Sequence, residues 1–313
     1  MNRLSRRSLL GVLAAATLPL CARAGPKMLR IGVQKYGTLV IMRERRTLEA
    51  ALGPIGWNVS WHEFTAGPQL LEALGAGALD FGTTGEAPPV FAQAAGAPLL
   101  YVAFEPPSPQ GEAILVPKDS PIRSIAELKG KQVALNKGSN VHFLLVQALA
   151  RAGLKPTDIT PVYLAPSDGR AAFERGAIDA WVIWDPFLAA AEEATGARVL
   201  TDGTGLAPNR QFFLATRDFA REQSDLLQRL IAEIDATDRW AERNPEETAR
   251  LLAASMGLPQ PVVSRAIGRM GYGAQPLTRE VIADQQRIAD TFRSLRLIPQ
   301  SIDVSEAVWI PKS

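Results

Sequence analysis

The chain has 313 residues, 47% hydrophobic and 21% charged, with 34 lysines and arginines against 32 aspartates and glutamates. That length points to about two domains with sizeable cores, and the composition excludes a disordered chain or a membrane bundle. The formal charge of +2 includes four arginines within residues 1–24, where there are no acids, so the rest stands at −2; without a basic run, nucleic acid is excluded as a partner.

Residues 1–24 read as a signal peptide. Arg3, Arg6 and Arg7 precede an uncharged, mostly apolar run over 9–21, and Ala22-Arg23-Ala24 follows, with cleavage expected after Ala24. The run is too short to span a bilayer. Ser5-Arg6-Arg7-Ser8-Leu9-Leu10 resembles a twin-arginine signal, with general secretion as the other route to the periplasm. The one cysteine, Cys21, falls in this leader, so the mature chain has no disulfide. Leu20 argues against lipid modification of Cys21, which prefers a small residue before it.

Beyond the leader, hydrophobic periodicity predicts strands over 28–33, 58–64, 79–82 and 99–104, with helices over 38–52, 67–74 and 88–95 between them. This is a βαβ pattern with short connections, hence a parallel sheet. The breaker cluster Pro106-Pro107-Ser108-Pro109-Gln110-Gly111 marks a first crossing between lobes. Strands follow over 113–116, 132–135, 159–164, 178–183 and 199–200, with helices over 125–128, 140–151, 170–175 and 186–194. A second breaker stretch over 202–209 returns the chain to the first lobe. A strand over 212–216 and helices over 225–243, 245–255, 259–270 and 278–295 complete it. The first lobe is thus 28–108 with 210–313, and the second is 112–204. The fold class is α/β, two lobes each built on a mostly parallel sheet flanked by helices, joined by a two-strand hinge of the kind that permits cleft closure.

The chain repeats itself. Val33-Gln34-Lys35-Tyr36-Gly37-Thr38 is echoed by Leu135-Asn136-Lys137-Gly138-Ser139, and Leu74-Gly75-Ala76-Gly77-Ala78-Leu79-Asp80 by Phe173-Glu174-Arg175-Gly176-Ala177-Ile178-Asp179. Past each aspartate come a short strand, an acid and a proline: Glu86-Ala87-Pro88 and Asp185-Pro186. Two similar lobes would aim strand ends and helix N-termini at one crevice. Helix N-termini present free N–H groups and favour anions.

Enzyme chemistry is poorly represented. There are two histidines, His62 and His142; His62-Glu63 starts like a metalloprotease motif, but Ala66 stands where the second histidine is needed. Neither a P-loop nor a G-x-S-x-G elbow is present. No cofactor and no metal are expected.

Candidate ligand contacts sit at strand ends. Thr83, Thr84 and Gly85, and Ser139 with Asn140, can present hydroxyl and backbone donors at helix starts, or simply cap those helices. Gln34 is a neutral donor leaving a buried strand. Trp184 can wall the cleft against an apolar tail or fill the core. Asp185 caps the helix opened by Pro186 or meets the ligand. Arg170 places charge at a helix start or pairs with Asp168, and Glu112 accepts a hydrogen bond or holds the hinge.

The strings Phe64-Thr65-Ala66-Gly67-Pro68-Gln69-Leu70-Leu71-Glu72-Ala73-Leu74, Pro88-Pro89-Val90-Phe91-Ala92-Gln93-Ala94-Ala95-Gly96-Ala97, Glu105-Pro106-Pro107 and Ile183-Trp184-Asp185-Pro186 resemble periplasmic substrate-binding proteins of ABC importers, in the nitrate/sulfonate/taurine group. Within that group the resemblance is to aliphatic sulfonate-binding proteins, and it runs from about Arg30 to Trp309. It implies a monomer that holds an alkanesulfonate between two lobes and delivers it to a membrane permease, with the ATPase on a separate chain. Taurine and nitrate are the alternative ligands of the group, and taurine's ammonium would need a cleft carboxylate such as Asp185 or Glu112. The rival from another class is an enzyme resembling thiamine-precursor synthases, for which His142 is the one candidate.

Overall fold

The computed structural model describes residues 27–311; the leader reading of residues 1–24, Cys21 included, lies outside them. The first stretch runs β1 (Lys27–Val33), α1 (Thr38–Arg45), α2 (Thr47–Leu52), β2 (Trp57–Glu63), α3 (Gly67–Gly75), β3 (Phe81–Gly85), α4 (Ala87–Ala94) and β4 (Leu99–Phe104). The middle stretch runs β5 (Glu112–Val116), β6 (Gln132–Leu135), α5 (Asn140–Arg151), β7 (Thr160–Tyr163), α6 (Pro166–Glu174), β8 (Ala180–Trp184), α7 (Phe187–Thr195) and β9 (Arg198–Asp202). The chain ends in β10 (Gln211–Thr216), α8 (Arg217–Glu222), α9 (Ser224–Arg243), α10 (Pro245–Met256), α11 (Gln260–Ile267) and α12 (Arg279–Ser294).

Two five-stranded sheets result, in the orders β2-β1-β3-β10-β4 and β7-β6-β8-β5-β9. The two orders are the same design. In each, three strands are parallel, and one strand that has just crossed from the other lobe inserts antiparallel beside them: β10 in the first sheet and β5 in the second. The sheets are therefore mixed. The parallel reading of β1, β2 and β3 holds, but β4 pairs with antiparallel β10 instead of with another parallel strand.

The sequence echoes have a structural cause. Asp80 accepts the Arg30 N–H at 2.8 Å while its own N–H donates to Arg30 O at 2.9 Å. Asp179 does the same to Gln132, at 2.8 and 2.9 Å. Each aspartate pins the start of one parallel strand to its neighbour, so these acids build the sheets and do not belong to the crevice.

Leu29, Ile31, Val33, Phe81 and Phe213 bury one face of the first sheet under α1, α2, α9, α10 and α11. The other face packs with α3, α4 and α12, and this core continues through Phe143 and Leu144 of α5 into the second lobe. Trp181 and Ile183 bury the far face of the second sheet with residues of α6 and α7. The helix expected over 38–52 breaks at Arg46, which adopts a left-handed φ of 55° between α1 and α2. The two crossing segments run side by side: Ser108 N–H donates to Pro208 O at 3.0 Å, Asn209 Nδ2 to Ser108 O at 2.9 Å and Gly203 N–H to Pro109 O at 2.9 Å.

Candidate functional site

A cavity of about 260 Å³ lies between the lobes, where the strand ends of both sheets meet. Three helices from each lobe start on its wall: α1 at Gly37 and Thr38, α3 at Gly67 and α4 near Pro88 on one side, α5 at Ser139 and Asn140, α6 at Pro166 and Ser167, and α7 at Pro186 and Phe187 on the other. None of the six is capped by its own N-cap side chain. The helices that are, α8 by Thr216 and α12 by Thr278, start away from the cavity. Two first-turn N–H groups are taken by other side chains: Ala87 N–H donates to Asn140 Oδ1 at 3.2 Å and Ala189 N–H to Asp185 Oδ1 at 3.0 Å. Helix starts of this kind carry partial positive charge and favour an anion.

Of the residues expected at the ligand, Gln34, Thr83, Gly85, Ser139, Asn140, Arg170, Trp184 and Asp185 line the cavity. Thr84 and Glu112 do not. Strand residues alternate faces, so Thr84 points away from Thr83 and Gly85; it is 0% exposed, and its hydroxyl donates to Gly85 O at 3.0 Å. Glu112 is the first residue of β5, paired with Trp184 of β8; it is 0% exposed, and neither carboxyl oxygen has a hydrogen-bond partner.

Several roles also differ. The Thr83 hydroxyl donates to Phe212 O at 3.1 Å and the Ser139 hydroxyl to Asn136 O at 2.7 Å, so each turns its proton to a ligand only by giving up a carbonyl. Asn140 braces the lobes, accepting from Ala87 and donating from Nδ2 to Asn209 Oδ1 at 2.7 Å. Arg170 sits inside α6, which starts earlier than expected at Pro166, and it pairs with Glu174 at 2.7 Å instead of with Asp168. His142 is absent from the wall. It is buried, accepts the Gly138 N–H at Nδ1, and burial, aided by Lys137, lowers its pKa to about 4. It cannot serve as the general base of a cleft enzyme.

The reading of isolated strand ends missed the part of the wall made by the C-terminal helices. Met256, Leu258, Ala266 and Met270 line the cavity and, with Trp184, Phe187 and Ala190, give it an apolar side, and the charged Arg269 lines it beside them. Arg269 reaches from this group to the second lobe, 3.3 Å from Asp185 and 2.7 Å from Glu192. Burial pushes the Asp185 pKa up to about 6 despite that arginine. The periodicity of α11 was visible in the sequence, but nothing local showed that it faces the other lobe. Among the described residues no group of side chains could hold a metal ion, and no helix is long and apolar enough to cross a membrane.

Two mixed sheets of one design, two side-by-side crossings and a cavity ringed by helix starts define a two-lobed solute-binding protein of the periplasmic type. Residues 58–248 match the family described as NMT1/THI5 like, and the chain belongs to that family. A relative from Escherichia coli (strain K12) named for binding aliphatic sulfonates is 44% identical over 312 residues, 99% of this chain and 98% of the relative. The crystal structure of the periplasmic aliphatic sulphonate binding protein SsuA from Escherichia coli is 45% identical, with a TM-score of 0.85 over 92% of this chain and 94% of that one. The alkanesulfonate-binding protein SsuA from Xanthomonas axonopodis pv. citri, solved bound to MOPS, is 44% identical, with a TM-score of 0.87 over 91% and 99%.

Proposed function

We propose that this protein captures an aliphatic sulfonate in the interlobe cavity and delivers it to an ABC permease powered by an ATPase on a separate chain. The observation that carries this reading is the convergence of six helix N-termini, three from each lobe, on a cavity with one apolar side. A sulfonate is anionic at physiological pH and has three acceptor oxygens, which helix-start N–H groups and the Gln34 amide can satisfy without a dedicated buried cation. The names of the relatives support the same ligand class. In this reading the first lobe, 28–108 with 210–313, supplies Gln34, Thr83 and Gly85, and the second, 112–204, supplies Ser139 and Trp184. The protein works as a monomer in the periplasm, exported by the twin-arginine route with cleavage after Ala24.

The test is titration calorimetry of the mature protein against linear alkanesulfonates, sulfate and nitrate, in buffers free of sulfonate. The alkanesulfonates are expected to bind and to be recovered chemically intact by mass spectrometry; tighter binding of nitrate or sulfate, or product that scales with protein, would reject the reading.

Trp184 is expected to set tail preference. It lines the cavity, with Phe187 edge-on at 6.4 Å between ring centroids. A buried methylene is worth about 0.8 kcal/mol, so Trp184→Ala should flatten the gain in affinity per added carbon across an ethane- to octanesulfonate series. A variant that loses the same factor at every length would show that the indole does not meet the tail.

A further inference from the structure

Where the end of β4 meets the start of α1, one acid on the cavity wall and a second acid behind it are not used by sulfonate binding. Thr38 Oγ1 lies 2.9 Å from Glu105 Oε1 and is also hydrogen-bonded to Asp238 Oδ1. A hydroxyl has one proton and can donate only one of these bonds. The other must come from a carboxylic acid, so the two carboxyls hold a proton between them. Asp238 also accepts the Gly273 N–H at 3.0 Å, which favours the charge there and the proton on Glu105. Glu105 lines the cavity, while Asp238 is 0% exposed behind Thr38.

Beside this pair the Tyr36 hydroxyl, also from a lining residue, is buried with no hydrogen-bond partner. A buried polar group without a partner is costly unless something else supplies one. The charged and titratable groups around the pair and Tyr36 are Tyr272, Asp235, Asp185 and Arg269, and Lys35, the neighbour of Tyr36 in the chain, also lines the cavity. Of the two cations, Arg269 is already paired with Asp185 and Glu192, and Lys35 is exposed. This corner therefore has acids and an unpartnered hydroxyl, and among the described residues neither cation forms an ion pair with Glu105 or Asp238.

We propose that the Thr38-bridged Glu105–Asp238 pair, with Tyr36, is a subsite for a protonated amine carried on the tail of the sulfonate, and that an amine-bearing sulfonate binds with release of the shared proton. The proposal rests on the sulfonate reading and assigns to Glu105 the cleft carboxylate that sequence alone placed at Asp185 or Glu112. The proton balance is simple. The Glu105 acid gives its proton to solvent, its carboxylate pairs with the ammonium, and an ammonium N–H donates to the Tyr36 oxygen. A tail without an amine leaves the proton in place. The corner thus reads the charge of the tail separately from the charge of the head.

The probes are 3-aminopropanesulfonate and 1-butanesulfonate, of equal length, one ending in ammonium and one in methyl. Each is titrated into wild-type protein near pH 6 in succinate and in bis-Tris, buffers of different ionisation enthalpy. The aminosulfonate is expected to show a buffer-dependent enthalpy equivalent to release of close to one proton, and the butanesulfonate none. Glu105→Gln should abolish the release and cut the affinity ratio of aminosulfonate to butanesulfonate by about tenfold or more. The wild-type comparison decides the matter even if the variant folds poorly. Equal, buffer-independent enthalpies for the two ligands, or binding of butanesulfonate alone, would overturn the inference and leave the sulfonate function standing. Binding of neither would overturn both.

Discussion

Gly85→Ala is expected to weaken sulfonate binding by about a hundredfold. Gly85 ends β3 at the floor of the cavity, and a Cβ placed on it would stand 2.2 Å from both amide atoms of Asn140 and 2.4 Å from its Cγ. Asn140 cannot step aside cheaply, because its amide is held by Ala87 in the first lobe and by Asn209 in the second crossing. The added methyl must push the start of α5 outward, and Ser139 moves with it. Overpacking of this kind costs about 1–3 kcal/mol, and loss of the two Asn140 bonds adds about 1 kcal/mol each. The sum is at least about 3 kcal/mol, which corresponds to about two decades or more in dissociation constant. A ligand that touches both lobes favours their approach only through its differential affinity for that state, so the methyl acts on binding directly. Calorimetry with an alkanesulfonate measures the loss, and circular dichroism checks that the variant is folded. An affinity within threefold of wild type would mean that the lobes meet elsewhere and that the Gly85–Asn140 contact is incidental.

That contact also shows how far the sequence could be read. Gly85 and Asn140 were each placed at a strand end or helix start from local pattern, and both do line the cavity. The pattern could not show that they touch, since they stand 55 positions apart and belong to different lobes. The strand expected over 79–82 located β3, but it was expected to end at Gly82 and continues to Gly85. That shift turns Thr84 away from the cavity while keeping Thr83 in it. Glu112 was misplaced for the same reason: β5 starts one residue earlier than expected, which puts the side chain in the sheet instead of the crossing. Glu105 stood in plain view before two prolines, but its meaning depends on Thr38 and Asp238, 67 and 133 positions away. The halves of the site that repeat in the sequence were legible because each is a local strand–turn–helix unit. The apolar side from α10 and α11, and the Arg269 contact with Asp185, arise only from docking of the C-terminal helices, for which no local signal exists.

The ligand-free protein is expected to be more stable at pH 5 than at pH 8, and Glu112 is one cause that can be removed. Burial pushes the Glu86 pKa up to about 7, against the pull of the Asn209 and Arg210 N–H groups that it accepts at 3.2 and 3.1 Å. Burial likewise raises Asp185 to about 6, and it raises Glu105 and Glu112 well above the carboxylate range, with nearby Asp238 and Glu86 adding to the two effects respectively. A carboxyl whose folded pKa exceeds its unfolded value binds its proton more tightly in the folded chain. The stability this confers is complete below the unfolded value, near 4, and is lost as pH rises through the folded value. For Glu86 and Asp185 that window runs from about pH 4 to just above 7. The combined loss is on the order of 3 kcal/mol, or about 6–12 °C in unfolding midpoint for a chain of this size. Thermal scans at constant ionic strength measure it, and a midpoint that stays flat or rises toward pH 8 would contradict the argument. Glu112→Met isolates one contributor. The wild-type carboxyl has no hydrogen-bond partner at either oxygen and Glu86 as a like-charged neighbour. Replacing an unpaired buried acid by an apolar side chain of similar volume removes its desolvation cost. The variant should gain about 1–3 kcal/mol at pH 8, where the acid is under most pressure to ionise, and much less at pH 5, where it is already neutral. A variant equally destabilised at both pH values would show that the Glu112 carboxyl holds the hinge through a bond of its own.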